Sequence, residues 1–309
     1  MIDLLVQRLQ ELGLTPETIA LAQGMLLGDK SVVDPELVQQ FRAAGMSHLL
    51  AVSGLHVGII MSLVWLLLRP VEALINLMTK QTMRVYYAVG FAKRLCVILI
   101  TIVYVLIIGS PPSAVRAALM LCLCLVGWML HRPTSPWHCL LLTALVLLAI
   151  DPWNITQVGF QLSFLAVAGI LLFSPWLQDR AIPRWLRLIL LSIAAQSLSV
   201  PFVAYYFHQV PVLGWLQGLL VVPLVPFFVG GLLLGAFIPS WHWLCLPIEL
   251  FRSWASWVAQ FITKSEHLLL QGHLYFYPSW FEVFMCEVII LVVILYLRRL
   301  KAASDNDSQ

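Results

Sequence analysis

Long apolar runs separated by short polar breaks make up most of the sequence. The runs end at proline, glycine or charged residues, and several approach the roughly 20 residues that an α-helix needs to cross a bilayer. Because the apolar residues are continuous and do not alternate with period two, the pattern favours helices over an outer-membrane barrel. The predicted membrane segments are 46–68, 95–108, 112–130, 137–150, 158–173, 186–207, 212–238 and 281–297.

The predicted fold class is an all-α, polytopic helical integral membrane protein with about seven to nine membrane segments. The run 212–238 contains Pro223 and Pro226, followed by a pair of glycines. This spacing predicts a broken or re-entrant segment. The segment 247–270 mixes charged residues with tryptophans, which is typical of an amphipathic helix at the membrane interface.

The composition strengthens the membrane assignment. The 309 residues are 61% hydrophobic and only 11% charged, with a mean hydropathy of +0.91, against about 45–50% and about 25% in soluble domains. This excludes a cytosolic enzyme, a disordered chain and a disulfide-framed secreted domain. The six cysteines form no C-x-x-C and are expected to be apolar fillers. We expect no metal, no cofactor and no catalytic residues, since P-loop, G-x-G-x-x-G and H-E-x-x-H motifs are missing from the sequence.

Lysine and arginine are distributed unevenly among the loops. They are concentrated in 69–94, at Arg132, in 180–187 and in 298–301, whereas the loops around Ser110, Asp151 and Gln209 have none. The positive-inside rule places the first set in the cytoplasm and the N-terminus outside. The predicted organisation is therefore a periplasmic or interfacial segment 1–45, a transmembrane domain 46–300 and a disordered cytoplasmic tail 301–309.

The densest polar cluster inside an apolar run lies between residues 46 and 60. A stripe of small residues includes Gly54 and Gly58, which predicts close packing of two helices. His56 lies roughly opposite this stripe and His48 lies near its margin. Because an imidazole is costly in lipid, His56 is expected either to bond across helices, to line a pore, or to serve a metal or proton relay.

Other polar residues within the runs allow more than one role. Ser53 and His56, three residues apart, could hydrogen-bond, but no carboxylate in the runs is positioned to complete a hydrolase triad. Arg116 either snorkels to the interface, pairs with a polar group or presents a cation to an anionic substrate. Uncharged stripes either bind helices together or line a wet path; they contain Gln161, Ser163, Gln196 and Ser199.

Several segments together resemble the competence membrane domain of the ComEC-type DNA-uptake channel family. The most specific is SHLLAVSGLHVG, which begins at Ser47. Four other segments match, and all five occur in the family's order. LLGDKS at 26–31 precedes the most specific segment; GSPPSAVRAALM at 109–120, DPWNITQVGFQLSFLAVAGILL at 151–172 and the stretch 194–227 follow it. The resemblance implies a channel module that moves single-stranded transforming DNA across the bacterial inner membrane during natural competence.

The resemblance also carries expectations about partners. These are single-stranded DNA, the lipid bilayer, separate DNA-binding, nuclease and helicase subunits, and further copies of the chain. Full-length relatives carry an OB-like domain and often a β-lactamase-like domain, so this chain resembles the membrane module alone. The alternatives are a non-conducting scaffold or remnant that assembles with such subunits, and a permease for a small solute. The candidate DNA path contains His48, Ser53, His56, Arg116, Gln161, Ser163, Gln196 and Ser199.

Overall fold

The computed structural model describes residues 2–29, 31–50, 52–78, 83–132, 134–178, 182–208, 213–238, 240–270 and 277–307. All regular structure in these ranges is helical, which confirms the all-α prediction. The helices are α1 Ile2–Glu11, α2 Pro16–Leu27, α3 Pro35–Ala43, α4 Gly54–Met78, α5 Met83–Ile107, α6 Pro112–Met129, α7 Pro136–Ile150, α8 Val158–Leu177, α9 Arg184–Ser197, α10 Val200–Phe207, α11 Gly214–Leu220, α12 Val225–Phe237, α13 Cys245–Leu270 and α14 Trp280–Asp307.

Four helices in the described part of the chain are long and apolar enough to cross a membrane. They are Gly54–Met78, Val85–Ile107, Pro112–Met129 and Gly218–Phe237. A fifth is added if Leu186–Ser197 and Val200–Phe207, which meet at an angle of 50°, form one broken span. The predicted seven to nine segments are therefore too many for the described residues. One reason is that the apolar helix Pro136–Ile150 and the apolar part of α8, Val158–Ser174, are both shorter than 18 residues.

The chain divides into two compact units, the first comprising 1–143 and 221–260. In this unit α4, α5 and α6 contact one another, and α12 packs against α4 and the N-terminal helices α1 and α2. The Phe228 and Phe251 rings stack with centroids 4.3 Å apart and join α12 to α13. The N-terminal segment is thus built into the unit.

The predicted loop 69–94 is wrong for most of its length, because α4 and α5 extend into it and are joined there by an ion pair. The helix α4 continues through Pro70 to Met78, and α5 begins at Met83. Lys93 therefore lies inside α5, where its Nζ is 2.7 Å from Glu72 Oε2 and 3.9 Å from the centroid of the Trp65 ring. The Lys93 side chain is only 5% exposed. Charge pairing explains why the helices continue past residues at which the apolar pattern stops.

A carboxylate on α13 holds the start of α2. Glu249 accepts hydrogen bonds from the Thr15 N–H at 2.7 Å and from the Thr18 hydroxyl at 2.6 Å. Arg252 bridges Glu249 and Glu17, at 3.4 and 2.8 Å. Thr15 is also the N-cap of α2, so one carboxylate satisfies donors at the start of that helix.

These bonds predict an acid-sensitive contact. Burial would raise the pKa of the Glu249 carboxyl, but hydrogen bonds from Thr18, Thr15 and Arg252 hold it below its usual value. The contribution to stability is therefore complete above about pH 4.3, the usual value, and is lost as the pH falls through the lower folded value. Hydrogen exchange of α2, corrected for intrinsic rates, should show protection at about pH 6 that falls by about pH 3.

The variant Glu249→Gln serves as the control for this pH dependence. It keeps one hydrogen-bond acceptor but removes the charge that titrates, so α2 protection should be lower at about pH 6 and should change less with acidification. Equal pH dependence in the parent and the variant would show that another group controls the contact.

The second unit comprises 144–220 and 261–309. Here α8 packs along α9, and a Cβ on Gly169 would collide with the Ala194 carbonyl, so this glycine permits a close helix approach. The helix α10 contacts α8 and α14. The bounds of α14 extend into the tail that the sequence predicts to be disordered, because Lys301, Ala302 and Ala303 are good helix formers.

Two interruptions break the apolar helices near prolines. Pro223 lies in a 3-10 turn, Val222–Leu224, which separates α11 from α12, and Pro226 lies in the first turn of α12. The sharper bend is the 50° change of direction between α9 and α10, just before Pro201. The proline break is thus present as a short turn, and its re-entrant character stays a prediction.

Candidate functional site

The SGLH segment forms the start of α4. Ser53 precedes the helix and His56 is its third residue. The Ser53 N–H donates to His56 Nδ1 at 3.2 Å, and the Ser53 Oγ lies 2.9 Å from the same nitrogen. The bond from the Ser53 N–H is one half of a capping box, with histidine in the position usually held by Glu or Gln. The predicted Ser53–His56 hydrogen bond is present.

The capping bonds fix the protonation of His56. Because Nδ1 accepts from a backbone N–H, the ring proton of the neutral imidazole is on Nε2. The His56 side chain is fully buried, and Nε2 has no hydrogen-bond partner among the described residues. A buried N–H donor without an acceptor is costly, so this atom is the first candidate to contact a ligand.

The start of α6 lies against the start of α4. The Ser113 hydroxyl donates to the Val52 carbonyl at 2.6 Å. A Cβ built on Gly54 would come within 3.2 Å of the Ala117 Cβ, so Gly54 makes the close approach that its stripe predicts. Gly58 is exposed and faces open space within the described structure. Its role in helix packing remains a prediction.

Arg116 lies in the second turn of α6, next to Ala117. It is 5% exposed, and its Nε has no hydrogen-bond partner among the described residues. Burial by protein differs from the extended, exposed geometry of a snorkelling arginine. Arg116 forms no ion pair with any of the described residues. His48 is exposed in the turn that precedes α4. The predicted path residues His48, Ser53, His56 and Arg116 thus all belong to the first unit, the last three at the two helix ends that meet.

The other four predicted residues belong to the second unit. Gln161 donates from Nε2 to the Ile155 carbonyl at 2.7 Å and accepts from the Tyr206 hydroxyl at 2.8 Å. Its amide therefore ties the start of α8 to the end of α10. Ser163 is half-buried on α8.

Gln196 and Ser199 lie close to the bend between α9 and α10. Gln196 Nε2 donates to the Ser192 Oγ at 3.4 Å, and the Ser199 hydroxyl contacts the Ala195 and Gln196 carbonyls, both at 3.2 Å. These bonds are local, within α9 and the break that follows it. A path-lining role for all four residues of this unit stays a prediction.

Sequence reasoning missed Ser113 and the Glu72–Lys93 pair. The signal for the pair was two opposite charges in the predicted loop 69–94, but no spacing rule links residues on different helices. Among the described residues no group of three His, Cys, Asp or Glu side chains comes together to hold a metal ion. The thiols of Cys124 and Cys139 lie 2.9 Å apart between α6 and α7.

The chain belongs to the competence protein family, whose model matches residues 25–300. It is 27% identical to ComE operon protein 3 of Bacillus subtilis over 299 residues, which are 93% of this chain and 35% of that protein. It is 28% identical to competence protein ComA of Neisseria gonorrhoeae over 242 residues, covering 76% and 30%. Recombination protein 2 of Haemophilus influenzae is 26% identical over 249 residues, covering 76% and 30%.

The chain spans about a third of the length of these curated relatives. No solved structure matches it. The family match and the apolar helices together define a multi-pass membrane protein of the competence family.

Proposed function

We propose that this chain is a channel module that imports single-stranded DNA across the bacterial inner membrane in natural competence, and that it performs no catalysis. The family match over residues 25–300 and relatives named for competence support this function. The structural observation that carries it is the pair of buried, unpartnered nitrogens at the α4–α6 junction, His56 Nε2 and Arg116 Nε.

Such donors suit a phosphodiester backbone. A strand carries one phosphate per nucleotide, and a phosphate oxygen accepts hydrogen bonds from a guanidinium or an imidazole N–H. The N-terminal ends of α4 and α6 meet at the same junction, and helix N-termini favour anions. A phosphate contacting the junction would satisfy Nε2 of His56 and Nε of Arg116 together, while His48 and Ser53 border its entry.

The uncharged polar residues of the second unit suit a different part of the path. Gln161, Ser163, Gln196 and Ser199 offer hydrogen bonds without a fixed charge, so they would wet the path without retaining the strand. A channel must bind weakly enough to release its cargo. We therefore assign contact with the phosphates to the α4–α6 junction, and hydration of the path to these four residues.

The contacts of the first unit support an outside N-terminus, and the positive-inside rule alone supports a cytoplasmic C-terminus. The Tyr104 hydroxyl donates to the Leu26 carbonyl at 3.1 Å, and Ser113 bonds to Val52. The loop around Ser110 therefore lies at the same end as the N-terminal segment. This loop has no lysine or arginine, whereas Arg132 follows the other end of α6, in accordance with the positive-inside rule.

The same logic supports a re-entrant run 212–238. In the second unit, Tyr206 at the end of α10 bonds to Gln161 at the start of α8, next to the loop around Asp151, which has no lysine or arginine. In the first unit, Gly235 near the end of α12 lies against Leu12 of the N-terminal segment. If the loop around Asp151 and the N-terminal segment both face outside, as the positive-inside rule predicts, the chain between α10 and the end of α12 enters and leaves on one side.

Impermeant thiol labelling tests this orientation. Single cysteines at Ser110 and Trp241 should react from outside in intact cells, whereas cysteines at Arg132 and Lys301 should react only after permeabilisation. External labelling of either cytoplasmic position at the level of Ser110 would contradict the orientation.

The functional test is transformation in a strain whose only channel candidate is this chain. Uptake of labelled DNA above the level of a strain with no channel candidate supports the proposal. Uptake restored only by adding separate DNA-binding, nuclease or helicase subunits would assign these as obligatory partners. Parental abundance without uptake under either condition would favour a non-conducting scaffold.

A further inference from the structure

The helix α13 presents three different faces along its length. At about 100° per residue, the residues of its first five turns separate by exposure and polarity. The exposed apolar face contains Leu246, Leu250, Trp254, Trp257 and Phe261. The buried face contains Ile248, Phe251, Ala255, Val258 and Ile262. The polar face contains Glu249, Arg252, Ser253, Ser256 and Gln260.

Two of these faces have identified neighbours in the first unit. The buried face packs on α12, where Ile248 lies against Gly231 and Phe251 stacks on Phe228. The polar face bonds the N-terminal segment through Glu249 and Arg252. An amphipathic helix of a soluble protein has one apolar face, whereas α13 has a second apolar face that is exposed, and this exposure requires a separate explanation.

The exposed apolar face is rich in large side chains that water does not favour. Leu246, Leu250 and Trp257 are 66%, 59% and 53% exposed. The Trp254 and Trp257 rings stack with centroids 5.2 Å apart. Two more exposed tryptophans, at positions 241 and 243, precede the helix. An exposed apolar face of this size marks a surface covered by lipid or by another molecule.

The position of α13 in the chain identifies lipid as what covers this face. The helix begins eight residues after Phe237, where a candidate membrane span ends. Tryptophan is enriched where hydrocarbon meets water. The polar face beside it carries charges that bond the start of α2, including Glu17, and these charges cannot enter hydrocarbon without cost.

We propose that α13 lies in the membrane surface, with the Leu246–Phe261 face inserted at the boundary between acyl chains and headgroups and the polar face supporting the N-terminal helices. The Glu249 bonds to Thr15 and Thr18 then fix the start of α2 at the level of this boundary. The partner of the exposed face is the bilayer, and not a second protein.

Spin-label accessibility in nanodiscs of phosphatidylethanolamine and phosphatidylglycerol tests this arrangement with the full chain. Nitroxides are placed singly at Leu250, Phe261 and Ser253, in a background without native cysteines that elutes as a single species. Leu99, exposed on α5, is the control for a position facing lipid in a candidate membrane span. Collision with oxygen reports lipid, and collision with a water-soluble nickel chelate reports water.

We expect Leu250 and Phe261 to favour oxygen and to lie at similar, shallow depths, although they are about 16 Å apart along the helix. Ser253 should favour nickel. A depth difference approaching that spacing would show that α13 crosses the bilayer and would overturn the proposal. Nickel access at Leu250 equal to that at Ser253 would show a water-exposed face, and low access to both reagents would show a protein partner; either result would also overturn it.

Discussion

Replacing His56 with glutamate is expected to abolish DNA uptake, whereas replacing it with glutamine should leave uptake within about tenfold of the parent. Both side chains are favoured at the third position of a capping box, where they accept the N–H that His56 Nδ1 now accepts from Ser53. They have nearly the same shape and differ by one charge. A carboxylate about 4 Å from a phosphate costs about 4 kcal/mol at an effective dielectric constant of about 20, close to a thousandfold.

The measurement is uptake of labelled DNA, normalised to the amount of protein in the membrane. Normalisation is needed because His56 is fully buried, and burial of an unpaired carboxylate also costs stability. The N-terminus of α4 offsets part of this cost. Equal uptake per molecule by the two variants would show that no phosphate passes the α4–α6 junction, and the path would then have to be sought in other helices.

The second large effect concerns the ion pair between α4 and α5. Lys93→Met or Glu72→Leu alone should destabilise the protein by about 3 kcal/mol, because each leaves a charge without its partner in a largely buried site. The double variant Glu72→Leu with Lys93→Met should recover most of this loss, since neither charge then remains. The loss of stability in the double variant should thus be much smaller than the sum of the losses in the two single variants.

Unfolding midpoints in one detergent, with membrane abundance beside them, measure this effect. The exposed pair Arg8–Glu11 in α1, at 2.9 Å, is the control, because removing an exposed pair costs between zero and about 1 kcal/mol. Additive losses in the Glu72–Lys93 double variant would show that the two side chains contribute independently. The ion pair would then not be what positions α4 against α5.

The sequence could predict the parts of the site that depend on local spacing. Ser53 and His56 are three residues apart, and the first turn of a helix brings such residues together, so their hydrogen bond followed from the sequence. The burial of Arg116 did not follow. An arginine one turn inside an apolar run can either snorkel to the interface or pair with a polar group, and the pattern is compatible with both. Only the neighbouring helices decide between them.

The helix boundaries show where pattern analysis stops working. The apolar run ends at Leu68 because Arg69 and Pro70 follow, yet α4 continues to Met78. A charge that finds a partner on another helix no longer marks a helix end, and that partner is invisible in a one-dimensional pattern. Small residues behave similarly: Gly54 and Gly58 look equivalent in sequence, but only Gly54 faces a neighbouring helix in the described structure.

Close helix approach in the second unit depends on a glycine outside the predicted stripe. Gly169 lies where the Ala194 carbonyl of α9 comes nearest to α8, and no G-x-x-x-G includes it. A single glycine in an apolar run has no spacing by which it could be distinguished from a filler. Contacts of this kind depend on how helices cross, which the sequence pattern does not specify.

Transport of labelled DNA into proteoliposomes that contain only this chain tests the channel proposal most directly. The account predicts that a single-stranded oligonucleotide reaches the lumen, protected from added nuclease, and that a duplex of the same length does not. It also predicts that His56→Glu protein, reconstituted at the same density, fails to transport while His56→Gln protein succeeds. If the parent, reconstituted in the proposed orientation, admits neither DNA or admits a small neutral solute instead, the chain is not a channel for single-stranded DNA.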